Sequence, residues 1–136
     1  MAADPPVLSD VPYDDLIVDE RMGPYLETVS REMAEQLTGQ IGERHPVDLA
    51  PPAVYPILFL KALRRAMGGI PAGSILAKQE LEFHAVLPVD STVQVTTWIG
   101  AKEIRRERRY VTVEFDIRDQ GGKPVLSGRK VIVWPA

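Results

Sequence analysis

Hydrophobic and polar positions alternate along the second half of the chain, as they do in a sheet that buries one face. Between Val111 and Ile117, apolar side chains occupy every second position, and polar or acidic side chains lie between them. A period of two places all the apolar side chains on the same face of a strand. The charged residues 102–109 interrupt this pattern, and we predict that they form the tip of a hairpin. We predict four extended segments, over residues 74–84, 91–103, 108–118 and 124–134.

Two segments of the first half have the hydrophobic spacing of helices instead. Ser30 is suited to cap a helix. After it, apolar residues recur at every fourth position, which predicts a helix that ends near Gly39–Gly42. Residues 53–67 predict a second, longer helix whose first half is apolar on all sides. A helix of that kind is enclosed by protein rather than laid on a surface.

The segments around these helices are predicted to be short or irregular. Residues 1–13 contain three prolines and are expected to form an arm on the surface. Leu16–Val18 predicts a short strand, Gly23–Pro24 a turn, and Tyr25–Val29 a second extended piece. Residues 43–52 also contain three prolines, and they predict a loop because proline removes a helical hydrogen bond.

The order of these elements predicts the fold class. At 136 residues the chain is long enough to build one hydrophobic core without disulfides or a metal. We therefore predict a single α+β domain over residues 1–136, in which four antiparallel strands follow the long helix in succession as a meander. An enclosed helix needs a curved sheet around it. The predicted architecture is an antiparallel sheet wrapped around one long central helix.

The composition excludes several kinds of site. The sequence has no cysteine, which excludes disulfides and thiolate ligands and is typical of a reducing cytoplasm. Its two histidines lie far apart in sequence, so we expect no metal and no cofactor. The longest apolar run is far shorter than a membrane span, and the first residues lack the pattern of a signal peptide. We expect a soluble cytoplasmic protein.

Charge is distributed unevenly between the two halves of the chain. Residues 1–60 carry 11 acidic and 3 basic side chains, a net charge of −8, whereas residues 61–136 carry 8 acidic and 13 basic side chains, a net charge of +5. A positive field attracts phosphates or an acidic protein surface. The basic residues are too mixed with acids to predict nucleic-acid binding.

Several short motifs occur in an order that resembles one family. They are Gly23, Val29–Ser30, Thr38–Gly39, His45–Pro46, Ala50–Pro52, Glu80–Phe83, Leu87–Asp90 and Asp119–Val125. Together they resemble the MaoC-like (R)-specific enoyl-thioester hydratases and dehydratases, over about residues 22–134. The Ala-Pro-Pro and Glu-Phe-His elements look most like the noncatalytic N-terminal halves of double dehydratases. The resemblance implies the hot-dog fold, in which a curved antiparallel sheet surrounds the long helix.

The loop after the first helix departs from the catalytic motif of this family. Active members carry Asp-x-Asn-Pro-x-His there, and the Asp and His activate the water that adds across the double bond next to a thioester carbonyl. The matching stretch here is Glu43–Asp48. Only its proline is retained, because Glu43 stands at the Asp position, His45 at the Asn position and Asp48 at the His position.

Two interpretations of this loop stay open. Glu43, His45 and Asp48 are chemically sufficient for acid–base catalysis, because an imidazole exchanges protons near neutral pH and a fixed carboxylate can orient it. Replacement of both reactive positions is also typical of a subunit that has lost catalysis, and a polar loop of this kind is ordinarily just solvated. If the chain is active, these three residues are its predicted catalytic set.

Five further residues are predicted to contact an acyl-thioester substrate: Pro52, Tyr55, Arg64, Arg65 and His84. His84 ends a predicted strand, where it either lines the acyl pocket or lies on the surface. Arg64 and Arg65 belong to the long helix. They, or the arginines of the tip at residues 102–109, could bind the phosphates of coenzyme A or an acidic carrier protein. The alternative for the tip is a solvated edge that blocks aggregation.

Three functions are compatible with the sequence. The first is a self-sufficient hydratase or dehydratase of acyl thioesters on coenzyme A or acyl carrier protein. The second is a degenerate hot-dog subunit that binds the acyl chain and pairs with a catalytic partner. The third is a hot-dog thioesterase, which the resemblance disfavours because residues 53–67 contain no acid. In each case we expect a homodimer or a hetero-oligomer, since protomers of this fold pair edge to edge.

Overall fold

A computed structural model describes residues 11–41, 49–50 and 54–136, with the backbone alone for residues 37–41. Within these ranges a 3-10 turn at Tyr13–Asp15 precedes two helices and five strands. The helices are α1 (Arg31–Ile41) and α2 (Val54–Met67). The strands are β1 (Met22–Thr28), β2 (Ile75–Phe83), β3 (Thr92–Arg105), β4 (Arg108–Asp119) and β5 (Pro124–Trp134).

The five strands form one antiparallel sheet in the order β1-β3-β4-β5-β2. The expectation that the four later strands simply follow one another is therefore wrong for β2. This strand pairs with β5, from Ile75 opposite Val133 to Phe83 opposite Leu126, and lies at the far edge from β1. Local alternation fixes which face of a strand is buried, but the neighbour of each strand depends on long-range packing.

Helix α2 packs against one face of the sheet, which we call the inner face; the other is the outer face. Leu58 and Phe59, in the middle of α2, are fully buried. The alternating residues Val111 to Ile117 of β4 face α2 and are also buried, as the period of two predicts. The α+β architecture of a sheet around one long helix is thus confirmed.

The start of the first helix is also confirmed. The Oγ atom of Ser30 accepts a hydrogen bond from the backbone N–H of Met33 at 3.1 Å, and α1 begins one residue after Ser30. This bond satisfies one of the amide groups that a helix leaves unpaired in its first turn. Helix α2 runs from Val54 to Met67, so its predicted end is confirmed, and residue 53, its predicted first residue, lies outside the described residues.

Two predictions for the N-terminal region are wrong. Leu16–Val18 is not a strand, since it follows the 3-10 turn and makes only a single bridge, from Val18 to Ile99. Gly23–Pro24 is not a turn but lies within β1. The register of β1 against β3 shifts between Met22 and Tyr25, and this irregularity accommodates both residues within the strand.

The hairpin tip predicted over residues 102–109 is much shorter. Strand β3 continues to Arg105 and β4 starts at Arg108, so the turn is only Arg106–Glu107, both with positive φ (49° and 66°). The guanidinium of Arg105 lies 4.5 Å from the ring centroid of Tyr110 on β4. Such contacts between strands extend the ladder beyond the apolar pattern that the sequence shows.

None of the helices in the described ranges is both long enough and apolar enough to cross a membrane.

Candidate functional site

The predicted catalytic residues Glu43, His45 and Asp48, and the predicted contact residue Pro52, lie outside the described residues. Leu49 and Ala50, which follow Asp48 in the sequence, are described. Leu49 forms a bridge with Pro88, and the backbone N–H of Ala50 donates to the carbonyl of Leu87 at 2.8 Å. Leu49 and Ala50 are therefore attached to the segment that follows β2.

Tyr55, the second residue of α2, is bonded to the same residue, Leu87. Its hydroxyl oxygen accepts a hydrogen bond from the backbone N–H of Leu87 at 3.0 Å, and the side chain is buried. Burial raises the pKa of the Tyr55 phenol, although the hydrogen bond from Leu87 acts in the opposite direction. The phenol is therefore protonated at neutral pH. None of the described residues accepts its proton, so the O–H group can donate to a ligand.

Aromatic rings continue from Tyr55 along the inner face. The ring centroids of Tyr55 and Phe83 are 5.8 Å apart, and Phe83 is half exposed. One helical turn further, Phe59 stacks on Phe115 with ring centroids 4.0 Å apart. Gly128 of β5 permits this stack, because a Cβ atom there would lie 2.7 Å from Cζ of Phe115. We call the rings of Tyr55, Phe59, Phe83 and Phe115 the apolar floor; Phe83 is half exposed, and the other three are buried.

The apolar floor ends at a charged residue that the sequence analysis missed. Lys130 of β5 is only 8% exposed, and its Nζ lies 5.1 Å from the ring centroid of Phe59. Burial lowers the pKa of its ammonium group. The alternation in β5 contains the signal for this placement, because Lys130 has the same parity as the buried residues Ile132 and Trp134.

His84 lies on the other side of the sheet. Its Nε2 is 3.0 Å from Oγ of Ser127, and Ser127 lines a cleft of about 540 Å³ together with outer-face residues such as Trp98 and Glu114. The structure thus separates His84 from Tyr55 and brings His84 into a polar environment. In the described part of the chain, no group of three or more His, Asp or Glu side chains is placed to hold a metal ion.

The two predicted arginines of α2 have different surroundings. The Nε atom of Arg65 lies 3.3 Å from Oε1 of Glu27, and its guanidinium donates to the carbonyl of Leu26 at 3.0 Å. Arg65 therefore ties α2 to β1. Arg64 is exposed. Of the two, Arg64 is the one without an ion pair among the described residues, and it is exposed to a ligand.

The arginines of the hairpin tip form a separate basic surface. Arg105, Arg106, Arg108 and Tyr110 line a concavity of about 650 Å³. The tip lies at the Arg105 end of β3. The segment that contains Leu87 leads into the other end of β3, at Thr92. At about 3.3 Å per residue, the 14 residues of β3 span up to roughly 43 Å. The structure therefore does not bring the tip to Tyr55 within one chain.

This architecture matches solved structures over most of their length. The (R)-hydratase PhaJ1 of Pseudomonas aeruginosa matches with a TM-score of 0.72 at 20% sequence identity, over 94% of this chain and 88% of PhaJ1. The MaoC-like dehydratase of Rhodospirillum rubrum matches with a TM-score of 0.70 at 20% identity, over 90% of this chain and 96% of that one. The chain has the hot-dog fold. The expectation drawn from the short motifs is confirmed for the fold.

A third hot-dog neighbour is a two-protein complex. The (3R)-hydroxyacyl-ACP dehydratase HadBC of Mycobacterium tuberculosis matches with a TM-score of 0.64 at 14% identity, over 83% of this chain and 93% of that chain. The sequence matches no protein-family model and no curated protein. At these identities the likeness establishes the hot-dog fold alone, and the chemistry has to be argued from the residues of this chain.

Proposed function

We propose that this hot-dog chain binds an acyl thioester between α2 and the sheet, and that it is a subunit of an enoyl-thioester hydratase or dehydratase. The observation that carries the proposal is the hydrogen-bonded link from Ala50 to Leu87 and from Leu87 to Tyr55. Ala50 follows Asp48 by two residues in the sequence, and this link attaches Ala50 beside a buried hydroxyl donor.

The chemistry of this region suits a thioester. The Tyr55 O–H group is a buried donor without an acceptor among the described residues, and a thioester carbonyl is an acceptor of the required kind. The apolar floor continues from Tyr55 and suits the acyl chain. Each methylene group removed from water contributes about 0.8 kcal/mol of binding free energy. Affinity comes from the floor and orientation from Tyr55.

A catalytic partner is proposed on two grounds. The loop holds Glu43 and Asp48 where the family motif has Asp and His, so the chain lacks the usual water-activating pair. The β2 side of the molecule also presents four exposed apolar side chains: Ile75, Leu76, Phe83 and Val86. Because β2 pairs only with β5 among the described residues, its other edge can take a strand of a second chain. The neighbour HadBC, a complex of two proteins, supports this arrangement by analogy.

The alternative is that the chain is active by itself through Glu43, His45 and Asp48. The two proposals predict different results for hydration of trans-2-enoyl-CoA by the purified chain. If a partner is required, the chain binds an acyl-CoA but hydrates the enoyl-CoA poorly. If the chain is self-sufficient, it turns over, and His45→Ala lowers the rate at least about a hundredfold, the usual contribution of a general acid or base.

His84→Ala is the matched control, because it removes the other histidine of the chain on the outer face of the sheet. A robust wild-type rate that is lost in His45→Ala and kept in His84→Ala would overturn the requirement for a partner. The same reactions should be followed for release of free thiol. Rapid release without hydration would identify a thioesterase instead and would contradict both forms of the proposal.

A further inference from the structure

Lys130 is a buried cation for which the described residues provide no counter-ion. Lysine is almost never fully buried unless it is paired, because its ammonium group loses its hydration. Lys130 is 8% exposed, and its only polar or aromatic contact within the described residues is with the face of Phe59. A ring face attracts a cation, but it does not accept the hydrogen bonds that an ammonium group makes in water.

Neighbouring carboxylates do not supply the missing partner. Glu27, the one buried carboxylate in the described ranges, lies on β1 and pairs with Arg65. Three strand spacings separate β1 from β5, or roughly 14 Å at about 4.8 Å each. On the other side of Lys130, Glu80 of β2 pairs with Lys78 and Arg129. Therefore none of the ion pairs in the described part of the chain includes Lys130.

Lys130 lies on the inner face of the sheet, at the apolar floor along which we place the acyl chain. Its side chain faces α2, as does that of its cross-strand partner Val113. The ring that it contacts, Phe59, follows Tyr55 by four residues, or about 6 Å along the helix axis. Tyr55 and Lys130 therefore mark two ends of the same apolar floor. At one end is the hydroxyl donor of Tyr55, and at the other is an ammonium group.

We propose that Lys130 determines substrate specificity by binding a carboxylate at the far end of the acyl chain. The inference rests on the proposed function, since it places the thioester at Tyr55 and the acyl chain along the apolar floor. An acyl group with a terminal carboxylate matches both ends of this floor. A plain alkyl chain would bury its methylene groups equally well but would leave the Lys130 ammonium group without an anion.

The test compares two ligands with acyl chains of equal length, adipyl-CoA and hexanoyl-CoA, by calorimetric titration of the wild-type protein. A hydrogen-bonded charge pair is expected to favour adipyl-CoA roughly tenfold to a hundredfold. In Lys130→Met, which removes the charge and keeps an unbranched side chain, the preference should disappear while hexanoyl-CoA binding is retained. Lys123→Met is the control for net charge, because Lys123 is exposed at the β4–β5 turn; its preference should equal that of the wild type.

Failure of this inference can be distinguished from failure of the proposed function. If the wild type binds both ligands equally, or prefers hexanoyl-CoA, the role of Lys130 is overturned and the acyl site stands. If the preference for adipyl-CoA persists in Lys130→Met, another cation is responsible and the inference is again overturned. If neither ligand binds, both proposals fall. The wild-type comparison decides the matter even if Lys130→Met does not fold.

Discussion

The β1 side and the β5 side of the inner face each bury one charged side chain. Only the charge on the β1 side has a partner of opposite charge among the described residues. On the β1 side, Glu27 lies 3.3 Å from Arg65 of α2, so the fold itself supplies the opposite charge. On the β5 side, the ammonium group of Lys130 has the ring of Phe59 as its one polar or aromatic contact among the described residues. The difference separates a charge that helps to hold the helix on the sheet from a charge that the described residues leave without an opposite charge.

This comparison assumes that the core tolerates a charge only where something compensates for it. Leu58→Asp tests the assumption with the largest expected effect, since Leu58 is fully buried at the centre of α2. An unpaired carboxylate there costs several kcal/mol and should abolish cooperative folding. Leu60→Asp is the matched control, because Leu60 lies on the same helix and is 45% exposed. A cooperative melt for Leu58→Asp would contradict the placement of α2.

The paired side of the comparison is tested by Arg65→Met. This change leaves the Glu27 carboxylate buried without its cation and should lower the free energy of unfolding by about 2 kcal/mol, less than for a fully buried pair because Arg65 is half exposed. Arg64→Met, at the exposed neighbouring position, should change stability by less than about 0.5 kcal/mol. Chemical denaturation measures both variants. Equal effects would show that Glu27 does not depend on Arg65.

The hydroxyl end of the apolar floor is tested by Tyr55→Phe. Loss of the hydroxyl leaves the buried N–H of Leu87 without an acceptor, which should destabilise the protein by about 1 to 2 kcal/mol. Tyr25→Phe serves as the control, since the hydroxyl of this partly buried tyrosine makes no hydrogen bond with the described residues. Unchanged thermal stability in Tyr55→Phe would mean that the Leu87 amide is satisfied in another way.

The smallest effect is expected for the unpaired side. Lys130→Met replaces a desolvated ammonium group with an apolar side chain of similar length, so the protein should unfold at the same temperature or higher, with a gain of up to about 1 kcal/mol. The measurement is thermal unfolding at neutral pH without ligand. A clear loss of stability would show that Lys130 has a structural partner, and the contrast with Glu27 would disappear.

Much of the fold could be predicted from the sequence because it is encoded locally. Spacing over a few residues is enough to predict the alternation in β4, the cap at Ser30 and the first half of α2, which is apolar on all sides. The place of β2 beside β5 could not be predicted, since pairing between strands depends on contacts far apart in sequence. The turn at Arg106–Glu107 was missed because charged side chains extend the hairpin by packing on Tyr110.

The site was predicted less completely, for physical reasons. Tyr55 was among the residues expected to contact a substrate; the structure shows it buried and bonded to Leu87, and its contact with a substrate stays a prediction. His84 follows an apolar residue in a strand, and alternation puts it on the face opposite Phe83. Lys130 was overlooked because lysines are usually exposed, although its parity in β5 places it with Ile132. A buried charged residue can be recognised from the sequence only when its position in the alternation of a strand is given more weight than its residue type.

The central claim is that the region between Tyr55 and Lys130 binds an acyl chain. The most direct measurement is the affinity of the wild-type chain for coenzyme A, butyryl-CoA and hexanoyl-CoA by calorimetric titration. If the chain lies along the apolar floor, each added methylene should contribute about 0.8 kcal/mol, or roughly a fourfold decrease in Kd. Equal affinities for all three ligands would contradict the claim, since binding would then depend only on the coenzyme.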